Sequence, residues 1–157
     1  MKARRLVTTW VPVLAWMLLI FFGSSDAFSA EHTSRFLVPF LRWLDPQISF
    51  AHIAAIHVTL RKLGHFTEYA ILAALLWRAF RGTWANLGAT FLAIAAFLGA
   101  AVFAASDEFH QAFVPTRTFS GHDIMIDCLG ALTAVLLCEL FWRARRGKGS
   151  GLQPTAE

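Results

Sequence analysis

The sequence predicts an all-α fold: a four-helix transmembrane bundle with an amphipathic interfacial helical segment between spans 1 and 2. Three observations predict it. The chain of 157 residues is 57% hydrophobic and 15% charged, against about 25% charged in a soluble domain. Four apolar stretches, residues 6–22, 65–80, 84–105 and 123–142, come near the roughly 20 residues a bilayer crossing takes, or about 17 at the short end. Lys and Arg gather at alternate ends of those stretches, as the positive-inside rule requires.

Residues 1–22 hold a basic start (Lys2, Arg4, Arg5) and span 1. Small residues near Ser25 and Ala27 also fit a signal peptide. Its apolar core usually runs about 7–15 residues, shorter than this one, so cleavage of span 1 stays an open alternative. Residues 23–64 form an extracytoplasmic connection rich in large apolar side chains. Within it Phe36, Phe40 and Leu44 recur every four residues, with Arg35 and Arg42 on other faces. That is an amphipathic pattern suited to the membrane interface, and Pro39 is expected to split it into two short turns. After Asp45-Pro46 no proline occurs until beyond Phe80, which predicts one long helix. Its first half lies on or projects from the membrane; its second half, 65–80, is span 2. Span 3 (84–105) carries no charge and makes a tight hairpin with span 2. A polar loop (106–122) leads to span 4 (123–142). The cytoplasmic tail (143–157) is polar and expected to be disordered.

Nine basic residues (Lys2, Arg4, Arg5, Arg78, Arg81, Arg143, Arg145, Arg146, Lys148) fall on one side of this arrangement and five (Arg35, Arg42, Arg61, Lys62, Arg117) on the other. Both termini are therefore placed in the cytoplasm. All six histidines and eight of the ten acids fall on the opposite side; Glu139 and Glu157 are the exceptions. Any chemistry is expected there. The net charge of +4 follows from the span ends and implies no nucleic-acid partner; the partner is the lipid bilayer. Cys128 and Cys138 share one helix about 15 Å apart, too far for a disulfide.

Two constellations stand out. His57, Arg61, His65 and Glu68 are spaced four, four and three residues apart, which stacks them on one helix face. In the loop, if span 3 continues as helix, Asp107 shares a face with His110 and Gln111 while Glu108 points away. Ser120 or His122 can cap the start of span 4, and Asp123 suits its positive end. Capping does not explain Asp127, a turn inside the span, where an unpaired carboxylate is costly. The bland reading is a belt of snorkelling and interhelical pairs, charge-neutral glue between helices. A divalent metal is another reading, but neither HExxH nor CxxC is present, so no metal set is assigned and the cofactor is unknown. The string SGH before Asp123 matches only a fragment of the lipid-phosphatase histidine segment, and no nucleophile elbow supports a triad from Ser106 or Ser120.

RKLGHFTEYAILAALL (61–76) and SDEFHQAFVPTRTFSGHDIMIDCLGAL (106–132) closely resemble the two signature blocks of the VanZ-like membrane family, and FFGSSD after span 1 resembles its Ser-Ser segment. The resemblance implies a multi-pass protein of the bacterial plasma membrane. It also implies a polar signature on Lys62, His65, Glu68, Asp107, Glu108, Gln111, Arg117, Asp123 and Asp127, and a link to resistance against teicoplanin-type glycopeptides. Thr116 stands where Gly is expected before the arginine, and Asp26 where Gln is more usual. Together these observations predict an extracytoplasmic pocket in which His65, Glu68, Asp107, Glu108 and Asp127 handle protons. Lys62, His110, Gln111, Arg117 and Asp123 bind substrate, an envelope lipid or lipid-linked glycan precursor. The alternative is a non-catalytic module that alters antibiotic access or binds a partner protein; whether the chain is an enzyme stays open.

Overall fold

The computed structural model describes residues 2–24, 30–114 and 120–149, with side chains for 6–24, 33–114 and 120–146. It is all-helical: α1 (Lys2–Gly23), α2 (Ala30–Leu44), α3 (Phe50–Thr83), α4 (Ala89–Gln111) and α5 (Gly121–Gly149). Among the described residues three segments are long and apolar enough to cross a membrane: Leu6–Gly23, Ala89–Gln111 and Gly121–Arg146. The second half of α3 packs among them. Its charged residues, among them Arg61, Lys62, Glu68, Arg78 and Arg81, make it less apolar than the other three. At 34 residues and 1.5 Å per residue, α3 is about 51 Å long. That exceeds a hydrocarbon core of about 30 Å, so part of it must lie outside.

Cross-helix contacts fix the directions. Arg61 meets Asp123, His65 meets Asp127, and Trp77 meets Glu139, each pair separated by 62 residues. A constant offset means that α3 and α5 run parallel. Trp10 Nε1 donates to Thr83 Oγ1 and Trp16 Nε1 to the Glu68 carbonyl, so α1 runs antiparallel to α3. Ser24, at the end of α1, meets Asp107 near the end of α4. The last turns of α1 and α4, the first turns of α5 and the middle of α3 thus share one end of the bundle.

The core is built from Tyr69, Leu72, Ala73, Leu76 and Ala79 of α3 against Ala93, Ala96, Ala100 and Ala104 of α4, with Val13, Ile20, Ala131 and Val135 from the flanking helices. Alanines three or four residues apart let α4 approach closely, as membrane bundles require. Gly130 does the same for α5: a Cβ there would run into the Phe66 carbonyl. The outward faces carry Phe91, Val102, Leu129, Leu136 and Leu140, all exposed. An apolar exterior of this extent suits lipid rather than water.

Three expectations change. Pro39 lies inside α2, which continues through it as one helix. Pro39 and Arg35 are both exposed, so the backbone carbonyl that the proline leaves without a donor is not forced into a dry interior. Residues 106–111, assigned to the loop, are the last turns of α4; of the two caps left open for α5, Ser120 Oγ takes the role, accepting from the Asp123 amide. The third concerns Glu108, which does not point away but is fully buried.

Candidate functional site

The polar end of the bundle is assembled from four helices. On α3, Arg61 and His65 are one turn apart and face α5. Arg61 Nη2 donates to Asp123 Oδ2 at 2.8 Å, and His65 Nδ1 lies 3.1 Å from Asp127 Oδ1. His65 Nε2 looks toward Asp123 Oδ2, 4.0 Å away. The close approach at Gly130 lets these short acid side chains reach α3. On α4, Glu108 Oε2 accepts from the Ser120 amide at 2.8 Å, which ties the end of α4 to the start of α5. Asp107 Oδ2 accepts from Ser24 Oγ at 2.7 Å and from Gln111 Nε2 at 3.0 Å, and Gln111 Nε2 also reaches Ser24 Oγ at 3.3 Å.

Ser24, His65, Asp107, Glu108, Gln111, Asp123 and Asp127 are all buried; Glu108 and Gln111 are 0% exposed and Asp127 is 1%. Tyr69, one turn beyond His65, is also fully buried and lies in electrostatic range of Asp107, Asp127, Glu68 and Glu108. Packing is therefore tight, yet at this end seven polar atoms have no hydrogen-bond partner among the described residues: Arg61 Nε, Tyr69 Oη, Asp107 Oδ1, Glu108 Oε1, His110 Nδ1, Gln111 Oε1 and Asp127 Oδ2. Native interiors leave few such atoms.

The opposite end of the bundle makes the contrast. Glu139 is also a buried carboxylate, but Trp77 Nε1 donates to its Oε1 at 2.9 Å, Arg81 lies 3.7 Å from the same oxygen, and Arg143 Nε meets Oε2 at 3.4 Å. Arg81 also stacks over Trp142, 3.5 Å from the ring centroid. Both Glu139 oxygens thus have partners, although Arg81 Nη1 is itself without a hydrogen bond among the described residues. At the Asp107–Asp127 end it is the carboxylates that are left short of partners among the described residues.

Of the residues predicted from sequence, His65, Asp107, Glu108, Gln111, Asp123 and Asp127 come together. Glu68 is half-buried on the same face of α3. Lys62 is exposed, and the cation paired with Asp123 is its neighbour Arg61. His110 turns to Phe21, with ring centroids 4.4 Å apart. Arg117, with Pro115, Thr116 and Asp26, lies outside the described residues. Tyr69 and Ser24 were missed as members. Tyr69 follows His65 by four residues, a spacing that marks it, whereas Ser24 lies in the FFGSSD segment that resembles the family's Ser-Ser segment, and only α1 packing brings it to Asp107.

Fold and site together define a helical membrane protein with a buried, acid-rich site at one end of its bundle. A family model described as VanZ/LLP1 matches residues 9–142, and the chain belongs to that family. No curated protein and no solved structure matches it.

Proposed function

We propose that the protein is a four-span bacterial plasma-membrane protein with both termini in the cytoplasm. Its acid-rich site then faces the extracytoplasmic side and binds the headgroup of an envelope lipid or lipid-linked glycan. The observation that supports this reading is the set of buried oxygens without partners among the described residues, on Asp107, Glu108, Gln111, Asp127 and Tyr69. Four of the five are acceptors only when the acids are ionised, and acceptors of that kind are met by sugar hydroxyls or amines. Arg61, and Arg117 on the expectation from sequence, suit a phosphate. Glue between helices is expected to satisfy its carboxylates, as Trp77 and Arg143 do for the two oxygens of Glu139.

His65 and Asp127 supply a proton-transfer pair within the same site. In this reading His65, Glu68, Asp107, Glu108 and Asp127 handle protons. Gln111, Asp123 and Arg117 hold the headgroup, with Lys62 and His110 at its margin. A contribution to teicoplanin-type resistance is the physiological consequence proposed from the family resemblance. A second reading, a non-catalytic module that docks a partner or alters antibiotic access, draws on α2, whose Phe36 and Trp43 are strongly exposed.

The test is native mass spectrometry of the full chain released from nanodiscs that contain a polyprenyl-phosphate-linked glycan, phosphatidylglycerol, or both. Retention of one such lipid, lost in Asp107→Asn and Asp127→Asn, supports a headgroup site. Equal retention by wild type and both variants sinks it and favours the second reading.

A further inference from the structure

We infer that His65, Glu108 and Asp123 form a binding site for a divalent cation of the zinc class. One ligand atom from each lies within 4.8 Å of the other two, and all three residues are buried. Clustering alone is weak support, because acids gather at many helix starts. Glu108 adds an independent pointer. Its side chain is fully buried and its Oε2 is held by the Ser120 amide, yet Oε1 has no partner among the described residues. A buried carboxylate oxygen in that position calls for a cation or a proton.

The orientation of His65 adds a second. His65 Nδ1 lies 3.1 Å from Asp127 Oδ1, and with Asp127 ionised a neutral imidazole would carry its proton there. Nε2, on the Asp123 side of the ring, would then be free to ligate. Metal-ligating histidines are oriented in this way, by a carboxylate on the other ring nitrogen. Asp123 is oriented likewise, by the Arg61 guanidinium at 2.8 Å. Charge agrees with geometry. Asp107, Glu108, Asp123 and Asp127 are all buried, and among the described residues Arg61 is the guanidinium paired with them.

One imidazole and two carboxylates suit zinc, with manganese and iron(II) as near alternatives, and three protein ligands leave a fourth position for an incoming oxygen. Ligand atoms about 2.0–2.1 Å from a tetrahedral zinc lie about 3.4 Å apart. Reaching that from the present spacing takes side-chain movements of roughly 1–1.5 Å at most, within rotamer adjustment. As the charge through which an acid-rich site holds an anionic headgroup, the cation rests on the function proposed above. As a bound ion it can be measured without it.

The experiment uses tag-free, chelator-stripped full chain in nanodiscs, titrated with Zn²⁺ alone and followed by calorimetry and elemental analysis. The expected result is one Zn²⁺ per chain. Affinity should fall at least 100-fold in His65→Gln and Glu108→Gln, fall about 10–100-fold in Asp127→Asn, and stay unchanged in His57→Gln. X-ray absorption of the zinc-loaded wild type needs no variant, and should show one imidazole with oxygen ligands. No Zn²⁺ uptake by wild type, a shell with several imidazoles or any sulfur, or full affinity in folded His65→Gln and Glu108→Gln would overturn the site. Zn²⁺ uptake without lipid retention supports the cation and counts against the function proposed above. Lipid retention by a chain that takes up no Zn²⁺ does the reverse.

Discussion

Asp127 and His65 are 62 residues apart in sequence and 3.1 Å apart in space. Local spacing flagged each of them, since a carboxylate one turn inside a span must find a partner, and the sequence placed both in one pocket without pairing them directly. Their coupling is measurable. A double-mutant cycle of His65→Gln and Asp127→Asn, read by unfolding in mixed detergent, should show an interaction of about 0.5–3 kcal/mol. Additivity within about 0.3–0.5 kcal/mol would mean that the pair does not act together. Ser24 is a second residue-scale test. It donates to Asp107 at 2.7 Å, and hydrogen bonds to charged groups contribute about 1.5–3 kcal/mol. Ser24→Ala should cost an amount in that range. A loss under about 0.5 kcal/mol would show that Gln111 alone satisfies the carboxylate.

At the scale of elements, α3 and α5 run in register because Gly130 lets their backbones meet at Phe66. Gly130→Ala should destabilise the bundle by about 1–3 kcal/mol, the range for overpacking, and should loosen the His65–Asp127 contact as well. Gly99→Ala is the control, because its Cβ would meet only Leu76 Cδ1 at 3.4 Å. Equal stability of the two variants would contradict the close approach. The 15 residues of α2 span about 22 Å, short of the hydrocarbon core. Cysteines placed at Arg35 and Arg42 should therefore label from the same side of the membrane, and labelling from opposite sides would refute an interfacial helix. Element types were legible from apolar runs and proline positions. The persistence of α2 through Pro39 was not, because one missing hydrogen bond is tolerable where the freed carbonyl is exposed. The burial of Glu108 was hidden for a different reason: helix periodicity gives a face, while which neighbour that face meets depends on α5.

For the whole molecule, the sorting of acids and histidines away from the basic span ends was plain in the sequence, and the structure gathers seven buried polar residues at that end of the bundle. What the sequence could not convey is their incomplete pairing among the described residues, which shows only once four helices are packed. Topology is tested by a reporter fused at Glu157; activity confined to the cytoplasm is expected, and activity only outside would reverse the orientation. The central claim, that this end of the bundle is a site kept for a ligand rather than a fastening, is tested most directly with Asp107→Asn. The amide keeps an acceptor oxygen for Ser24 and Gln111 and changes chiefly Oδ1, which has no partner among the described residues. Unfolding in mixed detergent and retention of envelope lipid should be measured on the same preparation. Both hydrogen bonds survive as neutral ones, each weaker by up to about 1.5 kcal/mol, so the variant is expected to stay folded and to lose the bound lipid. A variant that is clearly destabilised yet retains the lipid would contradict it.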